Sequence, residues 1–258
     1  MILLNKKIGE LAMSDNLKRR YAVVDLLRGI AVISMVLYHI AWDMNNIFGF
    51  EWHWFKSYAG FIWQQSICFM FIVISGFCYR IGSRHIKRGI IVFLMGAVIS
   101  LITLFFMPEN RIIFGILTFT GSAMLILAMP DKYLKSVPPL IGFAVSILLF
   151  VAFYRLKEGY LSIGIFGFKL PKILYGSIVG TYLGFMKKGF FSTDYYPVFP
   201  WLFLFLTGYY GFDLIGGRKR LDKLPHICFE PVNFAGRHAL IVYLLHQPAA
   251  YLLLKLIF

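Results

Sequence analysis

Charge is scarce in this 258-residue chain, and acid is scarcest: Asp and Glu number 12 against 26 Lys and Arg. The four charged types together make up only 15% of the residues. A water-soluble domain carries more, because its surface must be hydrated. Cysteine is also scarce, with Cys68, Cys78 and Cys228 and no CxxC pair, which argues against a zinc site or a disulfide framework. Cys68 and Cys78 fall in one apolar segment, where about 15 Å of helical rise separates them, so they cannot bridge each other. No GxGxxG and no Walker sequence occurs, so the familiar phosphate-cradling loops are missing. Low-complexity tracts and internal repeats are missing too.

What fills the chain is apolar. Hydrophobic residues make up 59%, aromatics 18%, and the mean hydropathy is +0.73. That composition predicts an integral membrane protein of all-α class, a polytopic transmembrane helix bundle read as one domain over 1–258. The formal charge of +14 would suggest nucleic acid in a soluble chain. Here the bases sit in short loops, where they orient the protein and meet anionic membrane lipid, so no nucleic-acid partner is expected. The first apolar run is no signal peptide: it holds Asp25, Arg28 and His39 and lacks a small-x-small cleavage site.

Hydropathy places seven spans at about 22–42, 58–79, 89–107, 111–129, 137–154, 197–215 and 235–257. The stretch 173–186 is apolar but only about fourteen residues long, with Gly176, Gly180 and Gly184 inside it. A span needs about twenty residues, so a re-entrant or interfacial helix is expected there, and eight spans is the alternative. The seven-span reading keeps Arg218, Lys219, Arg220 and Lys223 cytoplasmic, in line with the positive-inside tendency, and leaves Lys187 and Lys188 outside. It puts the N-terminus in the cytoplasm and the C-terminus outside, in the plasma membrane of a bacterium.

The ionisable residues within the spans are the functional lead. Arg28 and His39 are eleven residues apart in the first span, which at roughly 100° per residue returns to nearly the same helix face. Asp25 and Asp43 fall within about 60° of that direction. Ionisable groups at membrane depth are costly and usually face a cavity or a partner. His39 near the outer end, with Asp43 one turn on, suits a proton-accepting group and its orienter; a histidine satisfied by a neighbouring helix is the plainer reading. Arg28 with Asp25 at the inner end reads either as a phosphate contact or as a snorkelling ion pair. The last span brings Arg237 and His238 as interfacial anchors, then Tyr243, His246 and Gln247-Pro248. His246 either lines the same cavity as His39 or donates to a carbonyl loosened by Pro248. Tyr196 and Trp201, and His53 between Trp52 and Trp54, fit an aromatic belt or a surface that stacks on sugar rings.

These segments together resemble the heparan-α-glucosaminide N-acetyltransferase catalytic-domain family. The matching pieces are Asp25-Leu26-Leu27-Arg28-Gly29-Ile30-Ala31 with Met35-Val36 and His39, then Ser75-Gly76 and Phe114-Gly115-Ile116-Leu117. Gly159-Tyr160-Leu161, Ser192-Thr193-Asp194-Tyr195-Tyr196-Pro197 with Pro200-Trp201, and Gly236-Arg237-His238-Ala239-Leu240 with Tyr243, His246 and Gln247 complete the set. The arginine-to-histidine spacing also looks like that of the acyltransferase-3 membrane enzymes. The resemblance implies acetyl-CoA as a cytoplasmic co-substrate, no metal, and an acetyl group delivered across the membrane to an amino or hydroxyl group of a sugar or glycan. It gives His39 the role of general base or transient acetyl carrier, with Asp43 and His246 beside it. Arg28, Asp25 and Arg237 would lie toward the cofactor, and Tyr196, Trp201, Tyr243 and His53 toward the acceptor. Thr118 departs from the pattern, since many relatives carry histidine after the Phe-Gly-Ile-Leu segment. A homodimer is left open. The competing readings are a proton-coupled transporter or flippase using the His39/Asp43 stripe, and a scaffold in which that stripe only pairs helices.

Overall fold

The computed structural model describes residues 22–163, 166–221, 223 and 229–258. The basic stretch 1–20 and Cys228 lie outside the described residues. Helices dominate: α1 (Ala22–Asn46), α2 (Tyr58–Ile81), α3 (His85–Phe106), α4 (Ile116–Ala128), the short α5 (Asp131–Leu134) and α6 (Pro139–Phe153) come first. They are followed by α7 (Ile178–Leu183), α8 (Val198–Leu214), α9 (Gly217–Leu221), α10 (Glu230–Arg237) and α11 (Ala239–Ile257). Among the described residues, five helical stretches are long and apolar enough to cross a membrane: α1, α2, α3, Pro139–Glu158 and α11. α4 and α8 are apolar but shorter. All seven expected spans are thus apolar helices, and the chain is a polytopic helical membrane protein.

Prolines set several of the boundaries. Pro108 opens the turn after α3, Pro139 starts α6 at a position where its missing N–H costs nothing, and Pro197 precedes α8. Two features differ from the sequence reading. The last span is not one helix from 235: α10 ends at Arg237, His238 leaves helical geometry (φ −106°, ψ 23°), and α11 restarts at Ala239. The region before 173 also holds a small antiparallel hairpin, β1 (Tyr160–Ile163) with β2 (Phe166–Lys169), pairing Tyr160 with Lys169. The hairpin is the one sheet among the described residues, so the chain is nearly all-α rather than wholly so. The glycine-rich stretch 173–186 forms a 3-10 turn (Lys172–Gly176) and the six-residue α7, too short to cross a membrane. Ser177 caps α7 by accepting the Gly180 N–H at 2.9 Å.

The described residues form two compact units. The first holds residues through Ile74 and from Gly216 onward. Here α10 and α11 both pack along α1. The approach of α10 to α1 is set by two glycines. A Cβ at Gly29 would stand 2.0 Å from the Val232 carbonyl oxygen, and one at Gly236 would stand 1.8 Å from that of Asp25. Small residues let backbones come this close in a membrane. Asn233, wholly buried, ties the pair by donating to the Ala22 carbonyl at 2.7 Å. Val32, Met35 and Ile67 form the adjoining core, with Trp63, Phe71, Val242 and Tyr243 packed against it, and Trp63 Nε1 donates to Ser34 at 2.9 Å.

The second unit runs from Ser75 to Ile215. α3 packs on α4 and α6 on α8. A Cβ at Gly96 would stand 2.5 Å from the Thr118 backbone N and Oγ1, and one at Gly121 would stand 2.4 Å from the Phe93 backbone N. The α3–α4 crossing therefore depends on missing side chains from both helices.

Candidate active site

The first unit brings the three expected catalytic residues together. His39 and His246 face each other with ring centroids 4.7 Å apart and planes at 56°. Tyr38 meets the His39 ring edge-on at 5.9 Å, and Tyr243 lies 5.5 Å from His246. His246 Nδ1 stands 2.6 Å from the Tyr243 carbonyl oxygen. In a neutral ring that contact fixes the proton on Nδ1 and leaves Nε2 with a free lone pair. The accepting carbonyl is Tyr243's, one residue before the Leu244 carbonyl that Pro248 deprives of its helical N–H.

Asp43 is completely buried. Among the described residues no hydrogen bond joins it to His39; its Oδ1 instead accepts from Gln247 Nε2 at 2.8 Å. The residue after His246 thus takes up the carboxylate that the sequence spacing assigned to His39. Among the described residues, three buried atoms of this cluster have no hydrogen-bond partner: Asp43 Oδ2, Gln247 Oε1 and His246 Nε2. Leaving such atoms unpaired costs about 1–3 kcal/mol each.

Of the remaining expected residues, Asp25, Arg28 and Arg237 gather where α10 packs on α1, Gly236 lying against the Asp25 carbonyl. At the other end of α1, Arg28 Nη1 donates to Asp25 Oδ1 at 2.9 Å, an ion pair one turn apart. Arg237 is exposed and pairs with Glu230 at 2.5 Å. His53 is exposed in the connection after α1, beside a row of near-parallel indoles: Trp52 on Trp54 (5.9 Å) and Trp54 on Trp63 (6.1 Å). Among the described residues no hydrogen bond or ring contact joins His53 to His39 or His246. Tyr196 and Trp201 belong to the second unit and are buried against each other, ring centroids 4.9 Å apart, as packing residues at the start of α8.

Sequence reasoning missed two polar devices in the second unit. The first holds the Ser192–Pro197 segment. Ser192 Oγ accepts from the Ile113 N–H at 2.9 Å, the Tyr196 N–H donates to the Phe114 carbonyl at 2.8 Å, and Asp194 Oδ2 accepts from the Ile116 N–H at 3.0 Å. Asp194 therefore caps α4 from a distant loop, explaining why the two motifs belong together. Burial pushes the Asp194 carboxyl up to about 6, against the pull of the Ile116 N–H. The second device joins α2, α5 and α8. Arg80 Nη2 donates to both Asp213 oxygens at 2.9 and 2.8 Å, and Tyr209 Oη donates to Asp131 Oδ1 at 2.8 Å. Burial alone would raise the Asp131 carboxyl. Hydrogen bonds from Lys135 and Tyr209, with the charges of Lys135 and Arg80, outweigh burial and hold it below its usual value. The signal for both devices was present as acids next to aromatic or basic clusters, but nothing in spacing linked residues so far apart in sequence.

A polytopic helical membrane bundle with a histidine pair and a buried carboxylate inside one of its units defines the class: an integral membrane protein of helical type. The sequence profile of heparan-alpha-glucosaminide N-acetyltransferase, catalytic, matches residues 20–248, and the chain belongs to this family. It is a membrane acetyltransferase. No curated protein and no solved structure matches it. Among the described residues no group of His, Cys, Asp and Glu is arranged to hold a metal ion.

Proposed function

We propose that this protein takes an acetyl group from cytoplasmic acetyl-CoA and delivers it to an amino or hydroxyl group of a sugar or glycan on the other side of the membrane. The observation that carries this reading is the His39–His246 pair at 4.7 Å with the unpartnered Asp43 and Gln247 oxygens alongside. The acceptor's lone pair attacks the thioester carbonyl, the new C–N or C–O bond forms, and the C–S bond breaks. His39 takes the proton that the acceptor gives up, and that proton passes to the departing thiolate, which leaves as the CoA thiol. If His39 instead carries the acetyl group, its ring nitrogen displaces the thiolate in the first half-reaction and the ring's own N–H proton goes to that thiolate; the acceptor then takes the acetyl group and its proton restores the ring. His246, its Nδ1–H held by a carbonyl, packs against His39 and keeps an acceptor nitrogen in the site. In this reading Arg28, at the far end of α1, meets the phosphates of the nucleotide end. The N-terminus lies in the cytoplasm and the C-terminus outside, with the protein in the plasma membrane.

His39→Ala is the test. Purified protein carrying it is expected to bind acetyl-CoA as the wild type does and to lose essentially all transfer, measured with radiolabelled acetyl-CoA. Full turnover by that variant would overturn the mechanism.

A further inference from the structure

We propose that Gln247 is a positioning residue that holds the Asp43 carboxylate in register with the histidine pair and helps seat the hydrogen-bearing group of the acceptor. This rests on the acetyl-transfer reading above. A carboxamide offers two N–H donors and one oxygen. One donor is spent on Asp43 Oδ1 at 2.8 Å, and the oxygen is spent on nothing. That single bond joins α1, which carries His39, to α11, which carries His246, so it fixes where Asp43 stands relative to both rings. In an apolar interior such a bond is not loosened by competing water.

The three unpartnered atoms on these adjoining side chains share one chemistry. Gln247 Oε1 is an acceptor, Asp43 Oδ2 is an acceptor in its ionised form, and His246 Nε2 is an acceptor while Nδ1–H is held by Tyr243. A cluster with three acceptors to spare is completed by a ligand group rich in N–H or O–H. Gln247 then acts twice: it turns Asp43 so that Oδ2 stays open, and it places Oε1 beside it. Among the described residues, the titratable groups around the pair in this unit are His39, His246, Tyr38 and Tyr243, with Cys68 near Tyr38.

The experiment uses the full chain in detergent with acetyl-CoA, D-glucosamine as the acceptor probe, and two variants. Gln247→Leu removes both the donor and the oxygen. It is expected to raise KM for glucosamine about tenfold or more while leaving KM for acetyl-CoA within about twofold. Gln247→Glu keeps the shape but places a second carboxyl against Asp43. Two carboxyls this close share a proton at low pH, and the O–H then replaces the lost N–H donor. Its rate relative to wild type is therefore expected to climb as pH falls, which a merely structural role would not produce. A third readout needs no acceptor: the infrared band of the Asp43 carboxyl, assigned with Asp43→Asn, is expected to shift in Gln247→Leu. Wild-type values of KM in both variants with a flat rate ratio would overturn the assignment. If the wild-type protein transfers no acetyl group, the acetyl-transfer reading falls, and the infrared band alone decides: an unshifted band overturns the role of Gln247.

Discussion

An ionisable side chain in an apolar helix needs a use or a partner to offset its cost, and that rule made His39, Asp43 and His246 legible from the sequence. It is silent about uncharged amides, so Gln247 carried no energetic signal although it stands beside His246 in the same motif. Asp194 was hidden differently. Its loop is rich in tyrosine and proline, and the aromatic character suggested a belt, whereas the carboxylate caps α4 through Ile116. Asp194→Ala removes that acceptor and is expected to cost about 1 kcal/mol of stability, as for a lost helix cap; Asp194→Asn keeps an oxygen and costs less. The native carboxyl is held up at about 6 against an ordinary 3.8. The folded state therefore binds this proton more tightly than the unfolded chain does. Its stabilising contribution is full below the ordinary value and is lost as pH rises through about 6. Thermal melts of the detergent-solubilised protein should show that slope, and Asp194→Asn should flatten it. Thr118 follows the Phe-Gly-Ile-Leu segment. Its Oγ1 is buried without a partner and lies against Gly96, where even a Cβ would come within 2.5 Å. That crowding is a packing reason for a small residue at this position.

At the level of elements, length and hydropathy located the seven apolar helices, because crossing a membrane demands internal backbone hydrogen bonding over a fixed thickness. The same criterion is blind to short elements outside that thickness. The β1–β2 hairpin alternates residue types over four-residue strands, too brief to register beside so much apolar sequence. The break at His238 was missed because the polar α10 and the apolar α11 adjoin without a proline or glycine at the junction itself. What joins α10 to α1 was visible only as two glycines in motifs. Gly236→Leu is expected to force these backbones apart and to destabilise the protein by about 1–3 kcal/mol or more. Gly49→Leu is not the right control, since Gly49 has positive φ (76°). Gly167→Ala, a position where a Cβ meets nothing within 4 Å, is the suitable one. Melting temperatures of the two variants, compared with wild type, check the difference.

For the whole molecule, the distribution of charge set the expected topology, and the short α7 agrees with a segment that does not cross. In a variant without the native cysteines, Lys187→Cys is expected to react with a membrane-impermeant maleimide applied to intact cells. Arg218→Cys is expected to react only after permeabilisation. The opposite pattern would mean that 173–186 crosses and that eight spans are present.

The two units differ in how the chain supplies them, and this has a consequence for synthesis. The Ser75–Ile215 unit is one unbroken stretch, while the unit with the histidine pair is drawn from both sides of it. α1 leaves the ribosome long before α11. During that interval Asp43 is in the nascent chain with its eventual partner, Gln247, still unmade. Whatever shields that carboxylate in the meantime must be temporary, such as water at the membrane surface or an insertion factor. The histidine pair exists only after α11 has been inserted, so a chain stalled before it carries His39 and Asp43 without His246 and Gln247.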